Sequence, residues 1–170
     1  PIMKNIGFIS TRIAGTDGGS HESEKWARVL DRNGYRCFYC AGDADRAPEL
    51  CRIIDEVHFK HPDVARINDS VFGKTLRTPE TTRLIHLMTA HLKQELARFV
   101  RDFGIDCVIA ENSLSIPMNV PLGIALTELI AESGIPTVAH HHDFAWERER
   151  FLVNAIGDYL QMSFPPVLPG

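Results

Sequence analysis

The chain has 170 residues, 44% of them hydrophobic, which is the length of one ordinary domain with enough apolar material for a core. Its formal net charge of -4, without a long run of Lys or Arg, argues against nucleic acid or an anionic membrane surface as the main partner. No apolar run approaches the length of a membrane span, and the first residues lead into a predicted strand rather than a signal peptide. We therefore expect a cytoplasmic protein with no transmembrane segment.

The chain opens with the pattern of a strand, a glycine-rich loop and a helix. Residues 6–9 are typical of a short buried strand, and Ser20 is predicted to be the N-cap of the helix that follows. The loop between them contains Gly15, Gly18 and Gly19. Backbone N–H groups in such a loop, at the positive end of a helix, form a site for phosphate or sugar hydroxyls. A tight turn that binds no ligand is the alternative interpretation.

A helix over residues 20–33 and a strand over residues 35–40 continue this pattern into a βαβ unit. The inner face of the helix is predicted to consist of Trp26, Val29 and Leu30. Cys37 and Cys40 form a C-x-x-C spacing, which in a strand sends the thiols to opposite faces and favours core cysteines over a zinc site. Asp43 and Asp45 follow this strand, either as acceptors for a ribose or as a solvated turn.

The clearest helix begins at Thr78 and Pro79 and ends before Gly104. Its inner stripe is predicted to consist of Leu84, Ile85, Leu87, Met88, Leu92, Leu96, Phe99, Val100 and Phe103. The other predicted elements are a short helix at 64–71, a strand at 105–110, a helix at 120–133, a strand at 136–139 and a helical segment at 144–161 that is interrupted at Gly157.

Strand 105–110 is too apolar to have a wet face, which indicates a sheet covered by helices on both sides. The sequence therefore predicts an α/β fold, a Rossmann-like parallel sheet with helices on both faces in three α/β/α layers. This domain is expected to cover residues 1–164, and residues 165–170 to be the start of an interdomain linker or a truncated end.

A run of three histidines and an aspartate follows the strand at 136–139, and ligands of parallel sheets bind at the carboxyl ends of strands. If the extended geometry persists, His140 and His142 face one way and His141 the other. Histidine titrates near neutral pH, so one of them can orient or polarise a hydroxyl or stabilise a leaving phosphate, and Asp143 can fix its tautomer.

Two other interpretations of this segment are a divalent metal site and histidines with a structural role. His140, His142 and Asp143 are suitable ligand types for a metal, but a third or fourth donor at recognisable spacing is missing. The sequence therefore predicts no metal site, and no cofactor other than a nucleotide sugar as co-substrate.

The glycine-loop segment and the histidine segment together resemble the N-terminal half of GT-B glycosyltransferases of the large retaining group called family 4. The resemblance is carried by residues 9–26, similar to the family's first strand, glycine loop and first helix, and by residues 140–151, similar to its histidine loop. It implies that Gly18 and Gly19 bring main chain to the donor phosphates or the acceptor, and that a histidine among residues 140–142 contacts the reacting sugar. The family binds its nucleotide sugar mostly in a second domain, with two glutamates spaced E-x7-E, a pair that is missing here.

The predicted function is the acceptor-side half of a glycosyltransferase that moves a sugar from a nucleoside-diphosphate sugar to an acceptor hydroxyl, inactive without a C-terminal donor-binding domain. The predicted catalytic residues are His140, His142 and Asp143. The predicted substrate-binding residues are Gly15, Asp17, Gly18, Gly19, Ser20, Glu111, Asn112 and His141. Two alternatives remain, a nucleotide-binding oxidoreductase domain, although G-x-x-G-G departs from G-x-G-x-x-G, and a non-catalytic sugar-binding module.

Overall fold

A computed structural model of the chain describes residue 2 and residues 4–169. Pro1, Met3 and Gly170, which belong to the two predicted segments 1–164 and 165–170, lie outside the described residues. No helix in the described part of the chain combines the length and the apolar character that crossing a membrane requires.

Within the described residues, five parallel strands form one sheet in the order β3-β2-β1-β4-β5. The strands are β1 (Asn5–Ile9), β2 (Arg36–Ala41), β3 (Cys51–Ile53), β4 (Cys107–Glu111) and β5 (Thr137–His140). The helices are α1 (Gly18–Arg32), α2 (Pro62–Val71), α3 (Pro79–Asp102), α4 (Val120–Ser133), α5 (Glu149–Leu152) and α6 (Gly157–Ser163). This architecture confirms the predicted Rossmann-like α/β class.

Helices cover both faces of the sheet, as the apolar strands predicted. On one face, Ala27 of α1 lies in a buried cluster with Phe8 and Tyr39. On the other face, residues of α3 and α4 such as Phe99 and Leu126 pack with inward-facing strand residues. A sheet buried on both sides exposes its carboxyl edge, where chain segments follow β1, β4 and β5.

Helix α1 differs from its prediction in its start and in part of its inner face, since Leu30 packs against the buried cluster as predicted but Trp26 and Val29 do not. Its N-cap is Asp17 rather than Ser20, and its buried residues are Ser20, Ser23 and Ala27. Trp26 is 37% exposed and Val29 is 58% exposed. The sheet presents large side chains here, so the helix face against it carries small residues.

The segment after β5 is also less regular than a single interrupted helix. It contains a short 3-10 turn, Ala145–Glu147, followed by α5 and α6. Gly157 is the first residue of α6 and does not interrupt a helix.

Cys37 and Cys40 occupy opposite faces of the sheet, as the strand alternation predicted. Each is buried in a different apolar cluster, and neither is in a disulfide. Burial raises the pKa of both thiols to about 12.

We expect the free energy of unfolding to fall as the pH rises from 9 towards 12. Burial raises the folded pKa of Cys40 from 9.0 to about 12. A thiol whose pKa is raised by folding stabilises the folded state fully at pH values below its unfolded-state pKa. This stabilisation is lost as the pH rises through the folded-state pKa, because the unfolded chain releases the proton first. Denaturant unfolding at a series of pH values measures this slope. Cys40→Ala should flatten it in this window, and an unchanged slope would contradict the assignment.

Candidate functional site

The strand order brings three of the predicted site segments to one edge of the sheet. Strand β1 lies next to β4, and β4 lies next to β5. Because the strands are parallel, the glycine loop after β1, Asn112 after β4 and the histidines at the end of β5 all lie at the carboxyl edge. The crevice between β1 and β4, where the chain reverses its direction of travel across the sheet, is the usual ligand position in such folds.

The glycine loop is held by the segment that follows β2. The Ile13 N–H donates to the Asp43 carbonyl at 2.8 Å, and the Asp45 N–H donates to the Ile13 carbonyl at 3.1 Å. Gly15 has a φ of +78°, which favours glycine, and its N–H donates to Asp45 Oδ2 at 3.0 Å. Asp45 therefore has a structural contact with the loop, whereas the ribose contact considered for it stays a prediction.

The first turn of α1 leaves room above its backbone. Asp17 Oδ1 accepts a hydrogen bond from the Ser20 N–H at 2.8 Å. The buried Ser20 hydroxyl donates to the Ala14 carbonyl at 3.0 Å, so this side chain fixes the loop from inside. A Cβ at Gly18 would meet no atom within 4 Å, and neither Gly18 nor Gly19 has a positive φ. The fold itself therefore does not require glycine at position 18.

The centre of the edge is a buried carboxylate between two imidazoles. The Glu111 side chain is 0% exposed, and its Oε2 lies 2.8 Å from His140 Nδ1. Its Oε1 contacts His142 Nε2. Glu111 and His140 are register partners at the ends of β4 and β5, and the ring centroids of the two histidines are 4.9 Å apart. Each imidazole is 27% exposed, so the cluster is reachable from one side.

Asn112 holds the backbone of the histidine segment against β4. Its N–H donates to the His140 carbonyl at 2.8 Å, and its Oδ1 accepts from the His142 N–H at 3.3 Å. The same Oδ1 accepts from the Ser115 hydroxyl at 2.6 Å. Asn112 adopts a φ of 55°, a left-handed conformation that asparagine tolerates better than most residues. This residue, predicted to bind substrate, therefore positions the histidines.

His141 and Asp143 lie apart from the carboxylate. The His141 ring is 5.4 Å from the Phe144 ring, and burial, with a smaller effect of His140, lowers the pKa of His141. Asp143 contacts Arg148. Glu111, rather than Asp143, is the carboxylate that contacts the imidazoles of His140 and His142.

Trp26 joins the cluster from α1, a contact that was not predicted from the sequence. Its indole is 5.4 Å from the His140 ring. The pKa of Glu22 is lowered first by its hydrogen bond with Lys25 and to a smaller extent by the imidazoles of His140 and His142. The part of α1 that contains Glu22 and Trp26 therefore lies near the histidines. An aromatic residue just outside the glycine loop was the available signal, but helical spacing assigned it to the core.

The edge combines groups that bind polar or anionic ligands. Backbone at the start of α1, two partly exposed imidazoles and an indole face share one side of the sheet. Imidazoles donate or accept hydrogen bonds, and an indole offers an apolar face to a sugar ring. A separate cleft of about 670 Å³, lined by residues of α3, α4 and α6 that include Lys93 and Tyr159, contains none of the predicted site residues.

Two curated relatives are similar to this chain. The mannosylglucosylglycerate synthase of Petrotoga mobilis is 28% identical over 95% of this chain and 37% of its own length. The mannosylglucosylglycerate synthase of Thermotoga maritima is 31% identical over 96% of this chain and 38% of its own length. The chain is thus related to glycosyltransferases over less than two fifths of their length. No family model matches the chain. No solved structure matches it either.

Proposed function

We propose that this chain is the acceptor-side half of a GT-B glycosyltransferase of the retaining type. In this proposal, a second domain holds a nucleoside-diphosphate sugar, and the glycosyl group passes to a hydroxyl of an acceptor bound at the carboxyl edge of this sheet. The anomeric C–O bond to the diphosphate breaks, a C–O bond to the acceptor forms, and the proton of the acceptor hydroxyl passes to the departing nucleoside diphosphate. The observation that carries the proposal is the Glu111–His140–His142 cluster beside Trp26 of α1.

The site residues have distinct roles in this proposal. Backbone at Gly18 and Gly19, at the positive end of α1, faces the diphosphate or another anionic group. His140 and His142 contact the reacting sugar or the acceptor hydroxyl, and Glu111 holds both rings in place. Trp26 supports one face of a sugar ring.

The names of the relatives suggest the class of acceptor. Both enzymes are named for a product that joins mannosyl and glucosyl units to glycerate, which carries a carboxylate. We therefore propose an anionic glycoside as the acceptor. The imidazoles and the α1 N-terminus are suitable partners for that carboxylate.

The proposal includes a donor-binding partner domain. The relatives are more than twice as long as the part that this chain matches. Their additional length leaves room for a second α/β half. The resemblance to family 4 glycosyltransferases implies paired glutamates for donor binding, and this pair is missing from the 170 residues.

Two measurements test this proposal. First, the chain should bind glucosylglycerate in calorimetry, and Gly18→Val should weaken that binding while the denaturation midpoint stays unchanged, because space is open at position 18. Second, a chimaera that joins this chain to the remaining part of the Thermotoga maritima relative should transfer mannosyl from a nucleoside-diphosphate mannose to glucosylglycerate. The chain alone should not.

Three results would contradict the proposal. They are transfer by the chain alone, a folded chimaera without transfer, and a chain that does not bind the acceptor. A thermal shift with NAD or NADP would favour the oxidoreductase alternative. Acceptor binding together with an inactive, folded chimaera would favour the non-catalytic module.

A further inference from the structure

The geometry points to a binding site for one divalent transition-metal ion, formed by Glu111, His140 and His142. The ion would be of the zinc class, and a fourth coordination position would face solvent on the exposed side of the imidazoles. This inference concerns the chain's own side chains and does not depend on the proposed glycosyl transfer.

The three donors are close enough to share one ion. One carboxylate oxygen of Glu111 and one ring nitrogen from each of His140 and His142 all lie within 4.8 Å of one another. Two imidazoles and one carboxylate are the donor set of three-ligand zinc sites that keep a fourth position open for water or substrate. The sequence pattern did not indicate Glu111 as the third donor, because Glu111 lies on a different strand from the histidines.

The positions of the donors are fixed by the sheet rather than by flexible loops. Glu111 and His140 are paired residues of two adjacent strands. His142 lies two residues beyond His140 on the same face, and its backbone is held by Asn112 Oδ1. A metal site needs this kind of support, because ordering three free side chains would oppose binding.

The charge balance of the cluster also favours a cation. The Glu111 carboxylate is 0% exposed, and within the described part of the chain its oxygens make hydrogen-bond contacts with the two imidazoles. A buried carboxylate needs a compensating charge or several hydrogen bonds. Neutral imidazoles supply one N–H each, whereas an ion bound to all three groups would supply positive charge directly.

Neighbouring carboxylates are paired with cations and do not compete for this role. Asp143 contacts Arg148, and Glu22 lies 2.8 Å from Lys25 Nζ. The ligand set therefore differs from the His140, His142 and Asp143 set that the sequence suggested. With two nitrogen ligands, it should select Zn²⁺ or Co²⁺ over Mg²⁺ and Ca²⁺, which prefer oxygen.

The test uses the full chain after treatment with a chelator. Calorimetric titration with Zn²⁺ should show one ion per chain, and Co²⁺ should give the visible absorption of a nitrogen-ligated site. Mg²⁺ should not compete. Glu111→Gln and His142→Ala should each weaken Zn²⁺ binding by at least about 10–100-fold, the range for losing even an outer-shell partner of a metal ligand.

The matched control is the surface pair of His91 and Glu56, which lie 3.3 Å apart and involve one imidazole. His91→Ala should leave Zn²⁺ binding unchanged. Because Glu111 is buried, circular dichroism must show that Glu111→Gln is folded, and the partly exposed His142 gives an independent variant. The inference is overturned if the chain binds no Zn²⁺ at one ion per chain, or if His142→Ala binds it as tightly as the unaltered chain does. Metal-independent hydrogen bonding of Glu111 would then be the correct description.

Discussion

Alanine in place of Phe99 is expected to lower the free energy of unfolding by about 3–5 kcal/mol, the usual cost of removing a fully buried phenyl ring. Phe99 is 0% exposed in the core between α3 and the sheet. The Phe99 ring lies close over β1. A side chain on Gly7 would bring its Cβ to 2.8 Å from Phe99 Cε2. Phe99 also packs against Phe103, with ring centroids 5.2 Å apart. The lost ring would leave a cavity that the paired strands cannot close.

Leu87→Ala on the same helix is the matched control. Leu87 is 70% exposed, so its truncation should change the free energy of unfolding by no more than about 0.5 kcal/mol. Unfolding of both variants in guanidinium chloride, followed by circular dichroism, measures the difference. Similar losses for the two variants would mean that α3 presents a different face to the sheet.

This pair of residues also shows what helical periodicity predicts. The sequence placed the N-cap of α3 at Thr78 and its first residue at Pro79, and the structure confirms both. It also assigned Leu87 to the inner stripe, which is wrong. Neighbouring stripes on a helix both repeat at about 3.6 residues, and only the position of the sheet decides which stripe is buried.

Helix α1 shows the same limit at a functional position. Trp26 has the spacing of a core residue, yet α1 packs through Ser20, Ser23 and Ala27, with Leu30 partly buried beside them. Large side chains on β1 and β2 fill the space that a tryptophan would need. Helical spacing assigned Trp26 to the core, whereas its place beside His140 depends on how α1 packs against the sheet.

The orientation of the histidines at the sheet edge could be predicted from the sequence, but their contact with Glu111 could not. Strand alternation correctly placed His140 and His142 on one face and His141 on the other. The contact of these histidines with Glu111 depends on β4 and β5 being neighbours in register. A sequence read element by element does not give that pairing, because the two strands are separated by α4.

In the chimaera, Glu111→Gln is expected to lower kcat/KM for glycosyl transfer by at least about 100-fold, since loss of a group that orients a ligand or base commonly has this effect. Each carboxylate oxygen of Glu111 contacts one imidazole. Glutamine keeps the shape but replaces one acceptor with an NH₂ donor. One ring must then rotate or change its tautomer, and it no longer presents the same nitrogen to the substrate.

A positioning role predicts a particular pattern of effects. The loss should fall mainly on kcat rather than on KM, because the orientation and the tautomers of both histidines depend on the carboxylate. Glu111→Asp keeps the charge and should recover part of the activity. Glu56→Gln removes the carboxylate that contacts His91 on the surface, and it should leave both constants unchanged. If Glu111→Gln only lowered the denaturation midpoint while kcat stayed the same, Glu111 would stabilise the sheet edge without orienting the histidines for catalysis.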